Sequence, residues 1–297
     1  MMYSNLNKLT VRIFGGIGNQ LFCYAAARRL SIVNNCELIV DHVTGFEGDP
    51  YNRLYQLDRF NINCKKATAL QRLEPFSKLQ RHVRRKVNLG KVDYVFQEGS
   101  SFSDRLIDFK IKRNTYIEGY WQSEKYFIDT MDTIRKDLLI KPPTNKENIA
   151  MASEILKRNS VAIHFRFFDN PSSEINVNNL TMEYYNKAIS AIELKKSNLH
   201  YYIFSDQPNE VSKYIDLNRS HFTIVAHNIG DSNAYADLWL MSLCSNFIIA
   251  NSTFSWWGAW LSNNPNKLVY APNIKKSGIT SWGFIGLIPD NWILISV

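Results

Sequence analysis

The spacing of the apolar runs is the strongest constraint on this chain. Val161–Phe167, Tyr201–Ser205, Phe222–Ala226, Phe247–Ala250 and Leu268–Ala271 are short, rich in β-branched and aromatic residues, and separated by stretches of helical length. Antiparallel neighbours can be joined by tight turns, whereas parallel neighbours need a crossover of about a dozen residues or more. The alternation therefore predicts a doubly wound parallel sheet with helices on both faces. Tyr184, Ala188 and Ile192, and again Leu238, Met241 and Leu243, recur at helical spacing in the intervening segments and read as core.

The beginning of the chain repeats the pattern. Leu9, Val11 and Ile13 alternate with polar residues and run into Gly15-Gly16-Ile17-Gly18-Asn19-Gln20. A helix with Phe22, Ala26, Leu30 and Val33 on its apolar face follows, and then a second strand, Glu37-Leu38-Ile39-Val40-Asp41. This is a β-α-β unit. From about Gly45 to Thr115 the periodicity is weak and no elements are assigned. Lys141-Pro142-Pro143-Thr144-Asn145 reads as a linker, because consecutive prolines stop a helix and stiffen the chain. The expectation is an α/β protein of two Rossmann-like domains facing each other across a cleft, residues 1–145 and 146–297.

Composition narrows the class. Over 297 residues, 45% are apolar and 21% charged, the balance of a folded chain and not of a disordered one. No stretch approaches the ~20 continuous apolar residues of a membrane-spanning helix. The first residues, Met1 to Asn7, lack a signal-peptide core, so a cytoplasmic location is expected. Cys23, Cys36, Cys64 and Cys244 are scattered, with no Cys-x-x-Cys and no histidines at zinc spacing; they read as reduced thiols, and no metal site is expected. The net charge of +8 suits an anionic partner. It is densest over Arg81–Lys91, where two readings stand: a solvated basic segment, or electrostatic docking to an anionic membrane leaflet.

Ligands of parallel sheets bind at the carboxyl ends of the strands, and the candidate chemistry lies there. At the first strand end, the glycine turn and the helix it opens present backbone N–H groups to an anion or a sugar hydroxyl; a plain tight turn is the other reading. The run does not match Gly-x-Gly-x-x-Gly, and Asp41 is the sole candidate for a ribose-binding carboxylate, so a dinucleotide fits poorly. Alternation puts His164 and Arg166 on one face of their strand. A guanidinium offers phosphate a planar fork of donors; the structural alternative is an Arg166–Asp169 pair beside a packing histidine. Asp206, after Phe204-Ser205, is either an acceptor for guanine N1–H and N2–H or a helix N-cap. Asn251-Ser252-Thr253-Phe254-Ser255-Trp256-Trp257 joins an apolar strand to an aromatic helix, with hydroxyls and free N–H groups for phosphate and rings for walls. No Asp-x-Asp stands at a strand end to hold a divalent ion against a diphosphate.

Taken together and in order, the glycine turn through Phe22, His164-x-Arg166-x-x-Asp169, Leu180-Thr181-Met182-Glu183-Tyr184-Tyr185, Phe204-Ser205-Asp206 and Asn251 to Trp257 resemble the bacterial α-1,2-fucosyltransferase family, glycosyltransferase family 11. The resemblance implies a GT-B fold and metal-independent, inverting transfer of a GDP-activated deoxyhexose to the 2-hydroxyl of a β-galactoside. It places Arg166 on the β-phosphate, His164 and Asp206 near guanine, and Ser252 and Thr253 near the phosphates. The implied donor-binding set is Gly16, Gly18, Asn19, Gln20, His164, Arg166, Ser205, Asp206, Asn251, Ser252, Thr253 and Phe254; the catalytic set is His164, Arg166 and Asp169. Asp169, Glu174 and Asp49 are the nominated general bases.

One departure stands out. The family's usual His-x-Arg-Arg-Gly-Asp has Phe167-Phe168 between Arg166 and Asp169 here. The change fits rearranged packing, or a donor with fewer hydroxyls such as GDP-colitose. The family context implies a lipid-linked, galactoside-terminated oligosaccharide of the O-antigen type, with peripheral contact at the inner membrane face. A lectin or nucleic-acid-binding protein would also account for the charge and the aromatics. It leaves the order of the motifs unexplained, and no nucleic-acid partner is expected.

Overall fold

The computed structural model describes residues 6–87, 92–99, 102–167, 179–212, 221–274 and 286–297, which fall into two compact units. The division comes between Lys141 and Pro142, and Gly286 and Leu287 belong with the first unit.

The first unit contains β1 (Lys8–Arg12), α1 (Ile17–Val33), β2 (Glu37–Asp41), β3 (Lys65–Lys66), α2 (Ser77–Lys86), β4 (Asp93–Phe96), β5 (Thr115–Glu118) and α3 (Met131–Asp137). Its sheet has the order β3-β2-β1-β5-β4, and every pairing is parallel. β1 is central, and Leu9, Thr10 and Val11 are all buried. The alternation in sequence is thus not an exposed face: Thr10 is covered as well, as a central parallel strand requires. Over its first three turns α1 is buried on nearly every side, from Ile17 to Ala27, while Val33 emerges at its end. The segment with weak periodicity holds α2, β4 and β5. Tyr94 and Tyr116 stack between neighbouring strands, with ring centroids 5.5 Å apart.

The second unit contains α4 (Lys146–Lys157), β6 (Asn159–Phe165), α5 (Met182–Glu193), β7 (Leu199–Ser205), α6 (Pro208–Val211), β8 (Phe222–Ile224), α7 (Ala234–Ser242), β9 (Asn246–Ile248), α8 (Thr253–Leu261), β10 (Val269–Asn273) and β11 (Ile293–Ser296). The order is β11-β10-β9-β6-β7-β8, again with parallel pairings. β11 is an addition to the five strands expected. Two adjacent tyrosines on α5 brace this sheet: Tyr184 donates to the carbonyl of Ile249 (2.6 Å) and Tyr185 to that of His164 (3.0 Å).

Candidate functional site

Strand order locates the site in each unit. In the second unit the chain runs outward from β6 through β7 to β8, then returns to place β9 on the other side of β6. Connections leave β6 and β9 in opposite directions, so a crevice opens beyond their carboxyl ends, where ligands of such sheets bind. Ile163 pairs with Ile203 on one side and Ile248 on the other. His164 and Arg166 follow it directly into that crevice.

His164 is 4% exposed, its ring lies 5.3 Å from that of Phe254, and its Nδ1 is buried with no hydrogen-bond partner. Burial, aided by the Arg166 charge, pulls its pKa down to about 3. The ring is therefore neutral at working pH, with one nitrogen available to a polar ligand. Arg166 Nη1 lies 2.5 Å from Asp206 Oδ2, and Asp206 Oδ1 accepts from the Phe167 N–H at 3.0 Å. Asp206 thus holds both Arg166 and the Phe167 backbone. It does not cap α6, whose N-cap is Gln207. The turn into α6 is fixed by Ser205, whose hydroxyl accepts from the Gln207 N–H at 3.0 Å.

β9 ends in the second half of this corner. Ser252 is the N-cap of α8 and accepts from the Phe254 N–H at 3.3 Å, and the N-terminus of a helix is an end that favours an anion. Asn251 is buried, while Ser252, Thr253 and Phe254 are half-buried. Behind them Trp256, Trp257 and Trp260 are buried and packed on one another, and Trp256 lies 5.5 Å from Trp292. These rings are core and not a stacking surface for bases. Phe167 packs partly buried against the core around Phe165 and Tyr185, which gives that residue of the Phe-Phe departure a packing role.

In the first unit the corresponding switch lies between β1 and β5. Gly15 adopts a left-handed backbone (φ +75°), and a Cβ there would come within 3.0 Å of the Asn19 side chain. Gly16 is the N-cap of α1 and Gly18 lies buried in its first turn. Asn19 Oδ1 accepts from Gln122 Nε2 across the switch at 2.8 Å. Gln20, expected in the donor-binding set, is committed within the fold. It is fully buried, donates to the carbonyls of Gly15 (2.9 Å) and Leu54 (2.8 Å), and accepts from the Gln56 N–H (2.9 Å). Its amide ties the glycine turn to the neighbouring loop. Asp41 is equally committed: it accepts from the N–H groups of Val43 and Thr44 and the hydroxyls of Thr44 and Tyr116, which leaves nothing for a ribose.

Of the nominated bases, Asp169 and Glu174 lie outside the described residues, as does Phe168; Asp49 Oδ1 accepts from the N–H groups of Tyr51 (2.9 Å) and Arg53 (3.1 Å). The basic run also departs from expectation. Arg81 is only 7% exposed, and Arg85 pairs with Glu118 at 2.8 Å, so part of its charge is turned inward. Glu118 also holds Arg12 (2.8 Å) and the Tyr94 hydroxyl; these partners outweigh burial and keep its pKa low. Two further features carried no signal in sequence. Trp121, after β5, has φ +50° with its Nε1 buried and unpartnered, an unusual backbone for so bulky a residue. Asp237 on α7 is buried, accepts from Asn228 Nδ2 (2.8 Å), and has its pKa pushed up to about 7 by burial.

The model for "Glycosyl transferase family 11" matches residues 8–293. An Escherichia coli α-1,2-colitosyltransferase is 28% identical over 97% of this chain and 98% of its own length. The O-antigen biosynthesis glycosyltransferase WbnK of E. coli is 29% identical over 90% and 97%. Among solved structures, fucosyltransferase NodZ from Bradyrhizobium superposes with a TM-score of 0.53 at 14% identity, covering 90% of this chain and 95% of that one. Arabidopsis thaliana FUT1, in a complex with GDP, gives 0.55 at 12%, covering 90% and 71%. The structural likenesses carry the fold, which is GT-B.

Proposed function

The chain belongs to glycosyl transferase family 11, and from that premise we propose an inverting, metal-independent α-1,2-glycosyltransferase. It moves an L-fucose-type deoxy sugar from GDP to the 2-hydroxyl of a β-galactoside in a lipid-linked O-antigen glycan at the inner membrane face. The observation that carries this reading is Arg166, held by Asp206 at the topological switch of the C-terminal sheet. A fixed guanidinium beside a helix N-terminus is a preorganised receptor for a diphosphate leaving group.

In the reaction the bond from the sugar C1 to the GDP oxygen breaks as the acceptor oxygen bonds to C1 from the opposite face. The hydroxyl proton passes to a carboxylate base, for which Asp49, Asp169 and Glu174 stand as candidates. Charge on the departing phosphate falls to Arg166 and the first turn of α8, with Ser252 and Thr253 beside it, because no Asp-x-Asp stands at a strand end to hold a metal. The neutral, buried His164 offers a hydrogen bond to the nucleotide without adding charge.

GDP-fucose is the first donor reading. Similarity to an α-1,2-colitosyltransferase favours a second, GDP-colitose. The purified protein is incubated with GDP-fucose or GDP-colitose and a soluble β-galactoside, with and without a chelator, and the product linkage is read by NMR. An α-1,2 product that forms in chelator is expected. Transfer from a UDP-sugar, or a product linked elsewhere than O2, overturns the reading; the donor turned over faster decides between the two sugars.

A further inference from the structure

Helix α2 is amphipathic the wrong way round. Its inward side is polar: Arg81 is buried and Arg85 reaches Glu118, itself a buried carboxylate at the end of β5. Its apolar residues point out. Phe76, Leu79, Val83 and Val87 are 75%, 61%, 38% and 52% exposed, and their spacing puts them within one stripe along the helix. A single exposed leucine needs no explanation, but a continuous apolar stripe on a soluble surface marks an interaction site.

Two further observations concern what covers it. The helix SKLQRHVRRK contains no acidic residue, and Lys78, His82 and Lys86 are exposed along it, so the surroundings of the stripe are cationic. Phe76, at the N-cap, is held at φ +69°, a left-handed conformation that is costly for an aromatic residue, and its ring is presented to solvent. Strain that displays an apolar ring is consistent with a role for that ring outside the folded chain.

We propose that α2 docks the protein on an anionic lipid bilayer. The helix lies in the plane of the interface, with Phe76, Leu79, Val83 and Val87 among the acyl chains and the lysines at the headgroup phosphates. A short helix with a cationic polar side and an apolar stripe is the physical form of an interfacial anchor. From Phe76 to Val87 the contact is about 16 Å long at helical rise. Arg81 and Arg85 contribute differently from what a basic run suggests: by pairing inward they rotate the apolar side outward. The proposal deepens the reading of a lipid-linked acceptor, and its test needs no turnover.

Full-length protein is sedimented with vesicles of phosphatidylcholine alone and with about one third phosphatidylglycerol. Binding to the mixed vesicles that weakens with salt is expected. Leu79→Ser should weaken it about tenfold, with little change in melting temperature because that side chain is exposed. Lys78→Glu with Lys86→Glu should remove the preference for anionic lipid. Phe76→Trp should show a blue-shifted emission component on vesicle addition, while Leu194→Ser, an exposed leucine elsewhere, should leave binding unchanged. The proposal is overturned by absence of vesicle binding, by unaltered binding of Leu79→Ser, or by a dimer in light scattering that Leu79→Ser dissolves while vesicles are ignored. Transfer to a soluble galactoside, assayed alongside, reports on the catalytic reading separately.

Discussion

Replacing Asp206 with asparagine separates two roles that a carboxylate at this position can have. If Asp206 reads guanine, it accepts two charge-assisted hydrogen bonds that UDP cannot offer, each worth about 1.5–3 kcal/mol. Asp206→Asn would then reduce the ratio of GDP to UDP affinity by about 100-fold or more. The geometry supports the other role, since Oδ2 is 2.5 Å from Arg166 Nη1 and Oδ1 holds the Phe167 N–H. Losing the carboxylate frees an arginine side chain whose ordering costs about 2 kcal/mol at most. The guanidinium's undivided charge on the diphosphate offsets less than about 1 kcal/mol of that, because the pair is roughly a quarter exposed and screened. The net expectation is about fivefold weaker binding of GDP and UDP alike, their ratio unchanged. Calorimetric titration with both nucleotides measures it. The double variant with Arg166→Ala should bind no worse than Arg166→Ala alone, since a positioning residue has nothing left to position. A collapsed GDP/UDP ratio, or additive losses in the double variant, refutes the positioning role.

Three further outcomes follow from the buried groups. His164, with its folded pKa near 3 against an ordinary 6.5, adds stability that is complete above pH 6.5 and is lost as pH falls towards 3; Asp237, raised to about 7, works in the opposite direction between about pH 4 and 7. In urea melts at pH 5 and 6.5, His164→Gln should therefore lose about 2 kcal/mol relative to the wild-type trend as pH rises, and parallel trends in the two proteins would refute the burial argument. Asp41→Asn exchanges charge-assisted hydrogen bonds for neutral ones in a fully buried network and forces two hydroxyls to turn, so it should cost about 2–4 kcal/mol in the same assay; a change below about 1 kcal/mol would contradict the network. Gly258→Ala puts a Cβ 2.3 Å from Met241 Sδ, so overpacking of about 1–3 kcal/mol should exceed the roughly 1 kcal/mol gain in helix propensity and lower the melting temperature.

The motifs were legible where local chemistry and strand ends coincide. Apolar runs ending in His164, Ser205 and Asn251 were enough to place those residues at the carboxyl edge of a parallel sheet, because the direction of parallel strands fixes which end is which. Arg166 has a partner that the local sequence does not point to, while Asp169 lies outside the described residues. Spacing along the chain favours Asp169, whereas the strand register pairs Phe165 with Ser205 and so carries Arg166 alongside Asp206. The middle segment stayed unreadable because its order depends on distant charges: α2 turns Arg85 towards Glu118, 33 residues away, and no local period encodes that. Gln20 has the look of a ligand residue in sequence, yet its partners at Leu54 and Gln56 lie on a loop that only the folded chain brings near. Asp237 and Trp121 had no signal, since burial and backbone strain are properties of packing.

The tryptophans behind the α8 corner give the protein an optical property. Four of the chain's seven indoles, Trp256, Trp257, Trp260 and Trp292, form a chain of rings with successive centroids 5–6 Å apart, from 4.9 Å (Trp256–Trp257) to 6.2 Å (Trp256–Trp260). At such separations exciton coupling between neighbouring indoles is expected, to be read as a signed couplet in the circular dichroism spectrum. Trp256 and Trp257 begin two residues after Phe254, whose ring touches His164. A movement of that first helical turn would alter the coupling, so nucleotide binding at the proposed phosphate corner should be readable in the native chain without a label.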